Sequence, residues 1–378
     1  MTDLDQIMSA EFWGDPGCMV MGEWKGELPD LSETEGCVLF QTSGSSGEPK
    51  WIVLSKRALH LSARTVNQWL GVNSDSIWGL ALPLRHVGGF GVAARARAAQ
   101  CRIEEFGGKW NSTAFYEWLG EKEITHLSLV PTQLHDLVSA GLRAPASLRA
   151  VVVGGGRLDE NTGQSARDLG WPVLASYGMT EACSQVATQR LVLLHLPFAD
   201  APLEILPGWE TAVSEEGVLR LRGDSLFSGT VVEENGAWKY LPRESEWFQT
   251  KDRAELAHGT LSLLGRVDSL VKILGELVDI EAVERSFLKA SAGKIPAGKI
   301  AIVPLPDARR EHVLIAVFEK GVEGAEVLFA AFQEKAPGLD RCERMITLNE
   351  FPRSGLGKLM RGELADFVAT GIFPMRKT

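Results

Sequence analysis

The chain has 378 residues, 45% of them hydrophobic and 23% charged, with a formal net charge of -10. This is the composition of a folded chain long enough for two domains, and its acidic balance argues against a nucleic-acid partner, whose phosphates are held by clustered Lys and Arg. Five scattered cysteines (Cys18, Cys37, Cys101, Cys183, Cys342) form no CxxC pair and read as reduced thiols rather than a disulfide or zinc framework.

The acidic start "MTDLDQIMSA" has none of the basic and apolar regions of a signal peptide. No apolar run approaches the about 18 residues of a membrane span. The expectation is a cytoplasmic protein with no membrane insertion.

The first unusual stretch is "FQTSGSSGEPKWIV", residues 40–53. Thr42, Ser43, Ser45 and Ser46 surround Gly44 and Gly47, and Lys50 closes the run. Small hydroxylated residues, flexible glycines and a cation suit a phosphate. The stretch is not a Walker loop, because Gly44 plus five is Pro49 and Trp51 follows Lys50. It is not GxGxxG either. The apolar runs "GCVLF" and "WIVLS" flank it, so it reads as a connection between two strands. Phosphate oxygens would then be met by backbone N–H groups, hydroxyls and Lys50. The plainer alternative is a flexible Gly/Ser connector. A helix over "KRALHLSARTVNQWL" follows, N-capped by Ser55.

From residue 77 to residue 176, short apolar runs ("IWGLAL", "CRIEEF", "THLSLV", "LRAVVV", "PVLAS") alternate with helical segments ("TAFYEWLGEK", "PTQLHDLVSAG", "LDENTGQSARDLG"). Such alternation predicts βαβ units and a parallel sheet covered by helices. From 203 to 264 helical periodicity gives way to short β-type runs, with turn signals at Glu216-Gly217, Asn235-Gly236 and His258-Gly259. That pattern predicts a small antiparallel barrel or sheet. A compact α+β tail follows. The expected architecture is α/β: an N-terminal domain over 1–267, with a parallel βαβ sheet and a small antiparallel β subdomain, then a small mobile α+β domain over 268–378.

Five motifs in order carry a resemblance. They are "TSGSSGEPK", "YGMTE" (177–181), "WFQTKDRAEL", "GRVDSLVKILGELVDIEAVE" and "PRSGLGKLMRGEL". Together they resemble the adenylate-forming superfamily of acyl-CoA synthetases, peptide-synthetase adenylation domains and luciferases, over nearly the whole chain. The stretches "LPLRHVGG", "THLSLVPTQL" and "YGMTEACSQVAT" look most like the o-succinylbenzoate–CoA ligases of menaquinone biosynthesis. The resemblance implies an ATP-dependent acid–CoA ligase that releases AMP and pyrophosphate, using ATP, Mg²⁺ and coenzyme A. The alternatives are the same chemistry on another aryl or acyl acid, transfer to a carrier protein, or a non-catalytic nucleotide-binding relative.

It also implies residue roles. The Ser/Gly loop and Lys50 would hold the departing phosphates. Gly154, Gly155 and Gly156 would face the adenine edge, Tyr177 would stack on adenine, and Gly178 and Met179 would belong to the ATP site. Thr180 would bond the α-phosphate, and Glu181 would hold Mg²⁺. Asp252 would bond the ribose hydroxyls and Arg266 would add a second ribose or phosphate contact, although Lys251 stands where the family usually has glycine. His86 would sit beside the substrate carboxylate (the alternative is a satisfied structural histidine), and Ser184, Gln185 and Val186 would line the acid. Lys358, in a loop marked by Pro352, Gly355 and Gly357, would be the catalytic lysine. Asp268 would be the hinge, with the strip from Lys272 to Gly275 lining the pantetheine channel. The Ser/Gly loop begins much earlier than in most of that superfamily, which puts part of the acyl pocket in question. Small-molecule substrates are the expected partners, and a homodimer is left open.

Overall fold

The computed structural model describes residues 2–24, 32–43, 49–234, 236–296, 298–354, 357 and 359–371. The chain divides into two compact units, Met1–Thr250 with Glu255–Ser262, and Lys251–Ala254 with Leu263–Thr378. Among the described residues no helix is long and apolar enough to cross a membrane.

The first unit opens with two short helices, α1 (Asp3–Met8) and α2 (Ala10–Gly14), capped by the hydroxyls of Thr2 and Ser9. Three strands follow: β1 (Met19–Met21), β2 (Cys37–Ser43) and β3 (Pro49–Ser55). Strands β2 and β3 are antiparallel, so the Ser/Gly stretch does join two paired strands. Helix α3 (Lys56–Leu70) starts where the sequence places it. The Ser55 hydroxyl accepts from the Ala58 N–H at 3.1 Å, and Gly71 ends the helix at φ 66°.

Next comes the alternating segment: β4 (Ile77–Leu80), α4 (Val87–Ala99), β5 (Arg102–Glu105), α5 (Ser112–Glu121), β6 (His126–Leu129), α6 (Pro131–Ser139), β7 (Ala150–Val153), α7 (Glu160–Asp168) and β8 (Val173–Tyr177). The strands are parallel in the order β5-β4-β6-β7-β8. Every residue of β4, β6 and β7 is buried, which is why these strands read as continuous apolar runs. Their C-terminal ends share one edge of the sheet, the usual place for a ligand in an open α/β sheet.

The antiparallel region contains β9 (Ala187–Thr188), β10 (Leu203–Ile205), β11 (Glu210–Val213), β12 (Val218–Arg222), β13 (Gly229–Glu234), β14 (Ala237–Pro242), β15 (Phe248–Ala257) and β16 (Thr260–Arg266). The predicted turns at Glu216-Gly217 and His258-Gly259 appear, and at the third Gly236 has φ 79° while Asn235 lies outside the described residues. His258 and Gly259 both have positive φ, 50° and 78°, as a tight hairpin demands. The expectation of a separate small barrel or sheet is corrected here. The hairpin β13–β14 joins β3 to give the order β1-β2-β3-β13-β14. The other strands continue the parallel sheet past β8, to eleven strands. A short strand by itself leaves its backbone edges unpaired, and pairing onto an existing sheet covers them.

The second unit holds β17 (Leu270–Ile273), β18 (Glu276–Asp279), α8 (Ile280–Ala290), β19 (Ile300–Asp307), β20 (Glu311–Glu319), α9 (Ala325–Lys335), β21 (Cys342–Leu348) and α10 (Arg361–Thr370). Strands β19, β20 and β21 form one sheet with a core on each face. Ile300, Ile302, Leu314, Ala316 and Phe318 pack with Val283, Phe287 and Phe332. The alternate residues Ala301, Val303, Ile315 and Val317 pack with Phe351 and Leu364. The period of two along each strand sends successive side chains to opposite cores.

Candidate active site

In the first unit the site is built at the ends of β7 and β8. Gly154, Gly155 and Gly156 follow β7 directly. A Cβ on Gly154 would lie 2.9 Å from the Ser176 Oγ, and Gly155 has φ +77°. The backbone here is therefore bare, as a flat ligand edge requires. After β8 the chain doubles back. A Cβ on Gly178 would sit 1.4 Å from the Ser184 carbonyl oxygen, so only glycine fits. Met179 accepts from the Ser184 N–H at 3.1 Å, and Tyr177 accepts from the Val186 N–H at 2.8 Å.

Thr180 and Glu181 lie in a single 3-10 turn, Thr180–Ala182. Cys183 and Ser184 then take φ 51° and 100°, which turns the chain into β9. Positive φ at two consecutive non-glycine residues is strained, and such strain persists only where neighbours over-determine it. Two distant groups do so. The Ser62 hydroxyl donates to the Cys183 carbonyl at 3.1 Å, and the Phe227 N–H donates to the Glu181 carbonyl at 2.9 Å.

Lys50, on β3, brings its ammonium to 3.6 Å from the Glu181 carboxylate. Thr42 pairs with Lys50 across the β2–β3 ladder. One predicted phosphate-site residue, Lys50, thus meets the predicted metal ligand, with Thr42 beside it on the neighbouring strand. Gly44, Ser45, Ser46 and Gly47 lie outside the described residues, as does the side chain of Ser43. Glu181 fits a Mg²⁺ ligand: it is a lone, partly exposed carboxylate whose charge faces a cation, and Mg²⁺ takes few protein carboxylates besides phosphates and water. Among the described residues no cluster of three His, Cys, Asp or Glu could hold an ion on its own.

His86 is the N-cap residue of α4. Its Nε2 is buried and has no hydrogen-bond partner among the described residues. Burial, with Arg85 adding to it, holds the imidazole below its ordinary pKa and hence neutral at pH 7. The tight approach of α4 needs Gly89, where a Cβ would lie 2.3 Å from the Pro83 carbonyl oxygen. Of the predicted acid-site residues, Ser184 sits at the strained bend, Gln185 accepts from the Thr188 hydroxyl at 3.2 Å, and Val186 is fully buried.

Sequence reasoning missed Arg95. It lies on α4 and is 2% exposed. Its guanidinium donates to the Ser128 hydroxyl at 3.0 Å and the Ser184 hydroxyl at 3.4 Å, and lies 5.4 Å from the Trp78 ring. Its Nε is buried and has no hydrogen-bond partner among the described residues. Burial alone pushes its pKa down to about 10, with no carboxylate opposing the shift. The signal was present in the sequence: Arg95 is the one polar residue between Val87 and Ala96.

The second unit holds the remaining predicted residues. Arg266 makes a two-pronged bond to Asp268, at 2.8 and 2.9 Å, and reaches Asp252 at 3.3 Å. This hydrogen bonding holds the Asp268 carboxyl below the usual range. Lys272 is exposed on β17. Gly275 completes the β17–β18 turn with φ 83°, and its N–H donates to Glu311 at 2.7 Å. Lys358 lies outside the described residues.

A family model described as "AMP-binding enzyme" matches residues 8–230. The chain is similar to a 2-succinylbenzoate–CoA ligase of Escherichia coli (strain K12), with 31% identity over 338 residues, covering 89% of this chain and 70% of that protein. It is similar to the Enterococcus faecalis protein of the same description, with 29% identity over 352 residues and the same two coverages, 89% and 70%. Among solved structures, an E. coli MenE variant with bound OSB-AMS superposes with a TM-score of 0.72 at 29% identity, covering 92% of this chain and 72% of that one. An o-succinylbenzoate CoA synthetase (MenE) from Bacillus subtilis has the same fold, with a TM-score of 0.72 at 24% identity over 86% of this chain and 68% of that one.

Proposed function

The chain belongs to the AMP-binding enzyme family, and we propose on that premise that it is an ATP-dependent acid–CoA ligase acting on o-succinylbenzoate. ATP and CoA are its co-substrates and Mg²⁺ its metal. A carboxylic acid is a poor acyl donor because hydroxide leaves badly. Joining it to AMP gives a mixed anhydride with a good leaving group, and a thiol then displaces AMP.

Each residue of the site has a task in that scheme. Lys50, Thr42 and the Ser/Gly loop hold the departing β- and γ-phosphates. Tyr177 and the backbone of Gly154–Gly156, Gly178 and Met179 bind adenine, and Thr180 donates to the α-phosphate. Asp252 and Arg266 take the ribose. Glu181 holds Mg²⁺, which when bound offsets phosphate charge. His86, neutral and with a free Nε2, sits beside the carboxylate that attacks. Lys358 stabilises the charge that builds between that carboxylate and the α-phosphate.

The observation that carries the choice of acid is Arg95. A buried guanidinium with an unbonded Nε, beside Ser184, suits a second carboxylate on the acid. o-Succinylbenzoate has two carboxylates, one to be activated and one to be recognised. Benzoate has only the first. ATP–pyrophosphate exchange with the two acids tests the assignment: o-succinylbenzoate should support exchange and benzoate should not, and equal exchange would remove it.

The domains in this reading are 1–267 and a mobile 268–378, which rotates about Asp268. Rotation would withdraw Lys358 after adenylation and bring Lys272 to Gly275 along the path of the thiol. The Arg266–Asp268 pair supports a hinge role, because it ties the pivot to a ribose-binding residue. The reduced thiols fit a cytoplasmic setting. Sedimentation would show whether the enzyme is a homodimer.

A further inference from the structure

Cys18 and Cys37 meet in the fold. Strands β1 and β2 are parallel neighbours, with Met19 opposite Val38 and Val20 opposite Leu39. One step back along both chains, Cys18 stands opposite Cys37. Residues in register on adjacent strands share a face, and their strands run about 4.8 Å apart. That spacing lies inside the roughly 4.4–6.8 Å Cα span of a disulfide. Packing agrees with the register. Cys37 belongs to the buried cluster of Leu39, Trp51, Val53 and Val231, and Cys18 and Val20 pack against that same cluster.

Cys18 is half-buried and Cys37 is 4% exposed, so an oxidant reaches Cys18 first. The two thiols donate to the Met19 carbonyl at 3.8 Å and the Glu35 carbonyl at 3.4 Å. The buried ammonium of Lys56 donates to the Asp15 carbonyl at 2.8 Å and to the Gly17 carbonyl, next to Cys18, at 2.9 Å. The Asp15 carboxylate lies 4.0 Å from it. Burial pushes both thiols up, Cys37 to about 11, and the neighbouring Cys18 adds to the push on Cys37. A bond with Thr34 lowers Cys18, and Lys56 works against the rise at both. Both are therefore protonated thiols at pH 7 and exchange slowly. Such a pair answers sustained oxidation and stays a dithiol in a reducing compartment.

We propose that Cys18 and Cys37 are a redox modification site, which an oxidant of the small-molecule disulfide class closes to a disulfide that reversibly staples β1 to β2. The Cys18 thiolate attacks one sulfur of the oxidant, whose S–S bond breaks and releases one thiolate. The Cys37 thiolate then attacks the Cys18 sulfur, forming the protein S–S bond and releasing the second thiolate. Two electrons pass from the protein sulfurs to the oxidant, and the two protons lost by the protein end on the released thiols. The place suits a staple. β1 is three residues long and ends its sheet among the described residues, with β2 on its paired side. Neither cysteine has a task in the proposed reaction. Cys37 starts β2, and the Ser/Gly loop follows the other end of that strand, after Ser43. The staple therefore acts on stability and not on catalysis.

The test incubates the full-length protein with oxidised glutathione in mildly alkaline buffer and maps its peptides without reduction. The peptides carrying Cys18 and Cys37 should be joined within one chain. The melting temperature should rise by about 5 °C, because a cross-link restricts the unfolded chain. Dithiothreitol should reverse both changes. Cys18→Ser and Cys37→Ser should each abolish the link and the rise, and the wild-type map decides the pairing even where a variant folds poorly. ATP–pyrophosphate exchange should stay within about twofold of the reduced protein. Glutathione adducts that never resolve, bonds to other cysteines or between copies, or thiols that stay unreacted overturn the proposal. A Cys18–Cys37 bond that leaves the melting temperature unchanged, or that abolishes exchange, overturns the staple.

Discussion

The ammonium of Lys50 lies 3.6 Å from the carboxylate of Glu181. One residue comes from the strand after the Ser/Gly loop and the other from the turn after β8, so folding brings together two residues that the proposed function places at the triphosphate. Glu181→Gln keeps the shape of the side chain and removes its charge. Adenylation should fall by about a hundredfold and need more Mg²⁺ for half-maximal rate. A Mg²⁺ titration of pyrophosphate exchange checks this, and an unchanged Mg²⁺ requirement would separate Glu181 from the metal.

Arg95 is expected to read the second carboxylate of the acid. Arg95→Met should lower kcat/KM for o-succinylbenzoate by about thirtyfold or more, because a buried charge pair is lost. Its urea midpoint should hold or rise, since a largely unpaired buried cation costs stability. Equal losses on a monocarboxylic aryl acid would mean that Arg95 shapes the pocket without reading the charge.

Two glycines of the site should separate fold from binding. Gly178→Ala drives a Cβ into the Ser184 carbonyl at 1.4 Å, with no flexible side chain to give way. It should destabilise the protein by about 1–3 kcal/mol or more and abolish adenylation. Gly156→Ala meets only Pro131, at 3.6 Å, an ordinary contact. It should leave the melting temperature in place and raise KM for ATP. Thermal unfolding and ATP kinetics on the two variants give the comparison.

Stability should fall on acidification, for a reason that can be assigned. His126 is fully buried, with its ring nitrogens on Thr125 and the Leu70 carbonyl. Burial, only partly countered by the bond to Leu70, lowers its pKa from 6.5 to about 4. Between those values the unfolded chain binds a proton that the folded chain refuses. The stabilisation is present above pH 6.5 and is lost as pH falls toward 4, by about 3 kcal/mol at most. Urea midpoints from pH 8 to pH 4 should show the slope, and His126→Gln should flatten it.

The two half-reactions should separate by domain. Lys358→Ala should abolish adenylation and leave ATP binding nearly intact. Asp268→Pro breaks the Arg266–Asp268 pair and stiffens the pivot, so it should spare adenylation and block CoA transfer. Loss of both steps in Asp268→Pro would contradict rotation about this residue.

Much of the framework was legible from local pattern. The parallel strands announced themselves as apolar runs because both faces are covered, and Ser55 announced α3. Helix α4 escaped because it is built largely of Gly and Ala and is buried almost all round, so it carries no amphipathic signal. Arg95 escaped with it. The placing of β13 and β14 on β3 was not legible either. A hairpin's own residues specify its turn, but the edge it joins is a long-range choice. The meeting of Lys50 with Glu181 is likewise long-range, and the motifs implied it only through resemblance.

The most direct measurement incubates the enzyme with ATP, Mg²⁺, CoA and o-succinylbenzoate and identifies the products. The account predicts AMP, pyrophosphate and o-succinylbenzoyl-CoA, formed only when the acid is present. ADP and phosphate, or AMP formed at the same rate without the acid, would contradict it.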